Sequence, residues 1–331
     1  MKKLLSIILS IVIILSVLSL VGCGSPLKLG VGIVSYTDNI KSADADTNGS
    51  ATNDTTVAAV LVDKDGKIVK CDIDALSATL EFTSKGKFVE TKELKTKYEL
   101  GKDYNMVAYG KAKKEWFEQA DAFEALVAGK TLKEVQALVA EGGKGNKDVV
   151  NAGCTIVISD FITAIEKAVT TASESGASAK DNLKVGIVAT QTGCKNASEE
   201  ATGINEIDLT VCAATTKSGK VTAMLTDALA AAINFNTKGA VSDNIKINVS
   251  TKLEIGDGYG MAQHGKDLNG DGTVKEWYDQ AKAFNAAAID KDADGITALA
   301  LETGYGVGEL QTAGCTINIT DIVKAATKAA K

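Results

Sequence analysis

The feature that most constrains this chain is that it is written twice. Val31-Gly32-Ile33-Val34 returns as Val185-Gly186-Ile187-Val188, and Asp74-Ala75-Leu76 returns as Asp227-Ala228-Leu229, an offset of 227 − 74 = 153 residues. Further on, Trp116 and Phe123 correspond to Trp277 and Phe284, and Cys154 to Cys315, with the offset grown to 277 − 116 = 161. The growth traces mainly to an insert, Asp267 to Thr273, where the first copy has only Lys111-Ala112-Lys113. A period this long exceeds that of a solenoid repeat, so the chain reads as two duplicated domains. Their bounds are residues 29–172 and 183–331, joined by residues 173–182, whose small polar composition predicts a flexible linker.

Within a unit the pattern runs from strands to helices. Thr56–Val62 and Lys67–Ile73 read as strands around the turn cluster Asp63-Lys64-Asp65-Gly66, with a further strand at Thr79–Thr83. Trp116, Ala120, Phe123 and Val127 then recur at helical spacing, and Leu132–Val139 predicts a second, short helix before the loop Gly142-Gly143-Lys144-Gly145. Cys154–Ile158 is a β-branched run that reads as a strand, followed by a helix with Ser159 as its cap, a place Thr320 takes in the second copy. The fold class expected is α+β, each unit a mainly antiparallel sheet packed with helices.

Met1-Lys2-Lys3 precedes an apolar run from Leu4 to Leu20, the pattern of a secretory leader. Leu20-Val21-Gly22-Cys23 resembles a bacterial lipobox, which implies that residues 1–22 are removed, that Cys23 is lipidated, and that residues 23–28 form a tether. The expected location is the extracellular face of the cell membrane, the chain being anchored to the cytoplasmic membrane through Cys23. The formal charge is −6, or −8 once Lys2 and Lys3 are removed, and arginine is absent; such a surface argues against nucleic acid. With His264 as the single histidine, the sequence has no haem attachment motif and no Cys/His cluster with zinc spacing, and it argues against histidine acid–base catalysis. Five other cysteines are an odd number without close pairs, so no disulfide framework is expected; a Cys194–Cys212 bond is left open.

The most closely kept word is Ala152-Gly153-Cys154-Thr155-Ile156, which returns as Ala313-Gly314-Cys315-Thr316-Ile317. It is read as a loop entering a strand ahead of a helix start, where the glycine permits close approach, the helix N-terminus favours an anion, and the threonine offers a hydroxyl. Plain alternatives stand beside this: Trp116 and Trp277 as core side chains, Cys154 and Cys315 as small buried hydrophobes, and the threonines as ordinary strand residues. Asp267–Gly272 and Asp290–Gly295 place oxygen ligands as calcium loops do but lack the closing Glu, so both read as solvated acidic loops, with weak surface calcium binding as the alternative.

These motifs resemble those of the FMN-binding domain family, whose members carry an acidic residue and then Ser-Gly-Ala-Thr, the threonine esterified to the FMN phosphate by a flavin transferase. The resemblance puts Asp148 or Glu309 at the acidic position, Gly153 or Gly314 at the glycine, and Thr155 or Thr316 at the acceptor, with alanine and cysteine replacing the flanking serine and alanine. Gly258-Tyr259-Gly260-Met261 followed by Glu276-Trp277-Tyr278-Asp279-Gln280-Ala281-Lys282-Ala283-Phe284 is also similar to a signature of tandem flavin-carrying lipoproteins of Gram-positive extracellular electron transfer. The implied function is a surface electron carrier rather than an enzyme. It would hold one FMN per domain and relay electrons from a membrane quinone or an NADH dehydrogenase-linked donor to extracellular acceptors. The alternative is a cofactor-free binding or structural lipoprotein on the same duplicated fold.

Overall fold

A strand that is apolar at every position has to be covered on both faces, and Val57–Val62 is such a run. In the computed structural model, which describes residues 26–91, 93–242, 246–265 and 273–331, it lies at the centre of a sheet between two other layers. The leader with its lipobox, and the Asp267–Gly272 loop, lie outside the described residues.

The first repeat begins with three long antiparallel strands, β1 (Lys28–Lys41), β2 (Gly49–Val62) and β3 (Ile68–Phe82), extended at one side by the short β4 (Phe88–Val89). The second repeats the meander in β6 (Asn182–Thr190), β7 (Gly203–Lys217) and β8 (Lys220–Phe235). In β2 the odd-numbered side chains Val57, Ala59 and Leu61 point into a core shared with Leu209, Val211 and Ala213 of β7. Ala58, Val60 and Val62 point the other way, into helices of their own repeat. Cys212 and Ala214 of β7 do the same in the second repeat. The molecule is therefore four layers, helices on sheet on sheet on helices. This is the expected α+β class, with antiparallel sheets packed by helices.

The outer layer of the first repeat comprises α1 (Lys97–Leu100), α2 (Trp116–Val127), α3 (Leu132–Gln136), α4 (Lys147–Ala152) and α5 (Ser159–Thr171). The second has α6 (Lys252–Ile255), α7 (Met261–His264), α8 (Trp277–Ala288), α9 (Ala293–Thr297), α10 (Gly308–Thr312) and α11 (Thr320–Ala330). Among the described residues no helix is long and apolar enough to cross a membrane. The Val-Gly-Ile-Val repeat has its explanation in how α5 and α11 sit. A Cβ on Gly32 would run into the carbonyl oxygen of Ala164, and one on Gly186 into that of Ala325, so the helices lie directly on the strand backbone.

The two repeats are interlocked. After its third strand each chain segment reaches across to the other repeat. β9 (Ile247–Val249) pairs with β1 at Ser35–Thr37, while Gln191, at the end of β6, exchanges hydrogen bonds with the backbone of Thr91 (3.1 and 2.5 Å). Lys167 on α5 pairs with Glu254 on α6 at 2.6 Å, and its counterpart Lys328 on α11 pairs with Glu99 on α1 at 2.5 Å. Phe82 and Phe235, equivalent by the 153-residue offset, stack on each other with centroids 4.4 Å apart.

Several expectations are corrected. The segment read as a flexible linker is packed: β5 (Ser173–Glu174) pairs with β1, Ala177 enters the shared core, and Asp181 is bound by Ser178 and Thr222. Thr79–Thr83 is no separate strand, because β3 continues unbroken from the hairpin as one ladder against β2. The second helix stops at Gln136, short of Val139, which instead forms a bridge with Gly145. Asp292, from the second acidic loop, is the N-cap of α9 and accepts from the Gly295 N–H at 2.8 Å.

Because a Cβ at position 186 meets backbone rather than a movable side chain, Gly186→Ala is expected to cost about 3 kcal/mol in urea unfolding. Gly308→Ala, where a Cβ meets nothing, is expected to stay within about 0.5 kcal/mol of the parent.

Candidate functional site

The site is built from the start of α2 outward. Glu115 precedes the helix and is almost fully buried, its carboxylate accepting the backbone N–H groups of Met106 (2.9 Å) and Val107 (3.3 Å). Glu276 holds Met261 and Ala262 in the same way, at 3.0 Å each. The Tyr-x-Met and Glu-Trp parts of the sequence signature are thus one unit, a loop stapled to a helix start. Trp116 and Trp277 are buried at 4% exposure, Trp116 edge-on to Phe161 at 5.8 Å, so each is a core side chain with only its rim reachable. Lys97 lies over the rings of Tyr104 and Trp116, and Lys252 over those of Tyr259 and Trp277.

One turn further along the helix is the residue that joins the two motifs. Gln119 is 1% exposed; its amide nitrogen donates to the Lys114 carbonyl, and its amide oxygen receives both the backbone N–H (2.8 Å) and the hydroxyl (3.0 Å) of Thr155. Gln280 repeats this with Thr316 at 2.8 and 3.2 Å, and adds the Ile317 N–H at 3.1 Å. The hydroxyl hydrogen is engaged, which leaves the oxygen's lone pairs turned to the surroundings. Thr155 is exposed and Thr316 half-buried.

The glycine of the motif is positioned by a helix end rather than by a ligand. Gly153, at φ 105°, closes α4 with its N–H on the carbonyls of Val149 and Val150, the usual left-handed terminator of a helix. Gly314, at φ 95°, follows α10 in the same way. A lysine lies over each turn. The Lys114 ammonium is the first group that a Cβ on Gly153 would meet, and Lys275 donates to the Ala313 carbonyl at 3.0 Å. A cation is favourable there, since the last helical carbonyls carry partial negative charge.

The structure therefore brings Thr155, Gly153, Gln119 and Lys114 together, and likewise Thr316, Gly314, Gln280 and Lys275. Asp148 and Glu309 stand apart, exposed on the first turns of α4 and α10, where an acidic side chain complements the helix N-terminus. Two readings of the motif are corrected. Cys154–Ile158 is not a strand: its only ladder contact is the isolated Val157–Lys144 bridge, because Gln119 has taken the Thr155 N–H. Ser159 and Thr320 are not caps either; each is the first helical residue, and Ile158 and Ile319 hold the cap positions without a side-chain bond. Cys154 and Cys315 are fully buried, and burial raises both thiols, Cys315 to about 11. Cys194 and Cys212 are both free; Cys212 faces the helical core and bonds Thr226.

Beside the second motif lies a cleft of about 540 Å³, lined by the rim of Trp277 with two lysines, Lys252 and Lys324, and two carboxylates, Asp208 and Asp321. No group of three metal-ligating side chains occurs among the described residues. The glutamines belong to the Trp-helix signature but carry no role in the sequence reading, and Lys114 and Lys275 stand outside both motifs, although all four recur at the 161-residue offset.

A separate set of strongly perturbed carboxyl groups lies away from the threonine motif. Burial raises Asp74 and its repeat counterpart Asp227 to about 6. In the first repeat alone Glu124, which accepts from the Ile73 N–H at 2.7 Å, is pushed to about 9 by burial and by the nearby Asp72.

Gln119→Leu leaves the Thr155 N–H and hydroxyl without their acceptor and is expected to cost about 2 kcal/mol in urea unfolding. Glu124 binds its proton more tightly folded than unfolded, so its contribution is present at low pH and lost as pH rises towards about 9. Glu124→Gln is therefore expected to flatten the fall in urea midpoint between about pH 5 and pH 9, and to exceed the parent's midpoint at the upper end. Compared with protein-family models, curated proteins and solved structures, the chain matches none.

Proposed function

We propose that the protein is a surface lipoprotein that carries FMN on Thr155 and Thr316 and relays electrons outward from a membrane donor, a quinone or an NADH dehydrogenase-linked carrier. The observation that carries this reading is the junction of the two motifs in both repeats: the Gln of the Trp-helix signature holds the hydroxyl of the Gly-Cys-Thr turn. The residues present suit the phosphate end of FMN. Thr155 offers an accessible hydroxyl oxygen, its proton already directed to Gln119, and Lys114 sets a positive charge over the turn. In the second repeat the adjoining cleft offers the Trp277 rim to an aromatic ring; its two ammonium groups, Lys252 and Lys324, are balanced by Asp208 and Asp321, the latter already paired with Lys324 at 3.1 Å. FMN when bound supplies one- and two-electron redox chemistry; the chain's part is to hold it, set its polarity and keep it near the membrane through Cys23. A flavin transferase would form the ester between the threonine oxygen and the phosphate.

A second reading, a cofactor-free surface lipoprotein, is favoured by one specific observation. Gly153 and Gly314 already have a complete structural role as helix terminators, and the lysine over each turn serves the same helix end.

Protein secreted by a host that coexpresses a flavin transferase is expected to be yellow, and to keep the colour through denaturation and gel filtration. Thr155→Ala and Thr316→Ala should each remove one equivalent, and the double variant all of it. Colourless protein under these conditions supports the cofactor-free reading, and colour retained in the double variant overturns the choice of threonines.

A further inference from the structure

The interlocking of the repeats leaves two related cavities where the arm of one repeat crosses the first strand and last helix of the other. One is lined by Gly186 and Ile187 of β6, Lys328 of α11, and Asp74, Thr96 and Glu99 of the first repeat. The other is built from the corresponding positions, Gly32, Ile33 and Lys167 against Asp227, Thr251 and Glu254. They share a frame but have diverged in character. The first, about 280 Å³, contains Asp72 and Tyr98; the second, about 580 Å³, has Leu225 and Leu253 at the same places. Loss of the tyrosine and gain of two leucines opens the second cavity and makes its wall apolar.

Their charge has diverged as well. In the smaller cavity three carboxylates, Asp72, Asp74 and Glu99, face three ammonium groups, Lys184, Lys328 and Lys331. In the larger one Glu166, Asp227 and Glu254 face Lys167 alone, and that lysine is already held by Glu254 and by the Ile33 carbonyl at 2.8 Å. Asp227 is 5% exposed; it is hydrogen-bonded by the Thr251 side chain and by the backbone N–H groups of Ala228 and Leu253, and no ammonium group pairs with it among the described residues. An apolar recess of ligand size, with an excess of carboxylate and a few fixed polar groups, is the usual form of a small-molecule site.

We propose that the cavity between β1, α5, α6 and β8 binds a small organic cation, an apolar body bearing an ammonium group. The leucines contact the body, and the ammonium lies toward Asp227 with Glu166 at the mouth. None of these residues belongs to the threonine site, and an anionic flavin is disfavoured here by the same charges. Binding of a cation here is therefore independent of whether Thr155 and Thr316 carry flavin.

Isothermal titration of the mature chain with tryptamine, and with the matched anion indole-3-propionate, tests it. The amine is expected to bind one per chain at least tenfold tighter than the acid, a difference of about 1.4 kcal/mol. Thr170→Trp, at an exposed position on the cavity wall, and Glu166→Lys, at the mouth, should each weaken the amine about tenfold or more. Both should leave the thermal midpoint within a few degrees of the parent. Equal binding of amine and acid, no amine binding at millimolar concentration, or amine binding unchanged in Thr170→Trp overturns the proposal.

Discussion

The contact on which the rest of this structure depends is the burial of one sheet's inner face against the other's. Val57, Leu61, Leu76 and Leu80 from the first repeat and Leu209, Val211 and Leu229 from the second are each no more than 1–2% exposed within one cluster. At roughly 2 kcal/mol for a fully buried aliphatic side chain, that cluster far outweighs the two inter-repeat ion pairs. Those lysine–glutamate pairs are about a third or more exposed, and pairs of that kind contribute at most about 1 kcal/mol. The ion pairs and the crossed segments fix how the repeats meet, but apolar burial is what holds them together. Either half alone would present a face of valine and leucine to water.

The outer layers inherit their position from this core. Because Gly32 and Gly186 let α5 and α11 lie on the strand backbone, the loops entering those helices are placed at a fixed height above the sheet. The Gly-Cys-Thr turn is that entry, and α2 or α8 meets it from the side with a buried glutamine. Cys154 and Cys315 pack beneath the turn as small hydrophobes, while the threonine above them stays accessible. A hydroxyl is thus held on rigid elements in each repeat.

Much of this was legible in the residues. The duplication, the β2–β3 hairpin and the Trp116–Val127 helix each announce themselves by a period or a turn. What could not be read was whatever depends on a distant partner. Residues 173–182 look like a linker because they are small and polar, yet Asp181 finds Ser178 and Thr222, and Ala177 finds the shared core. Thr155-Ile156-Val157-Ile158 looks like a strand by β-branched composition, but no neighbouring strand offers it a ladder. A glutamine 36 residues earlier takes its first N–H instead. The doubly apolar run of β2 hinted at cover on both faces without saying that the second cover is the other repeat.

The central claim is that the two repeats form one body through a common core rather than two tethered domains. Differential scanning calorimetry of the mature chain tests it most directly. The account predicts a single transition whose calorimetric and van't Hoff enthalpies agree within error. Two resolved transitions, or a calorimetric enthalpy near twice the van't Hoff value, would show that the halves unfold independently and contradict it.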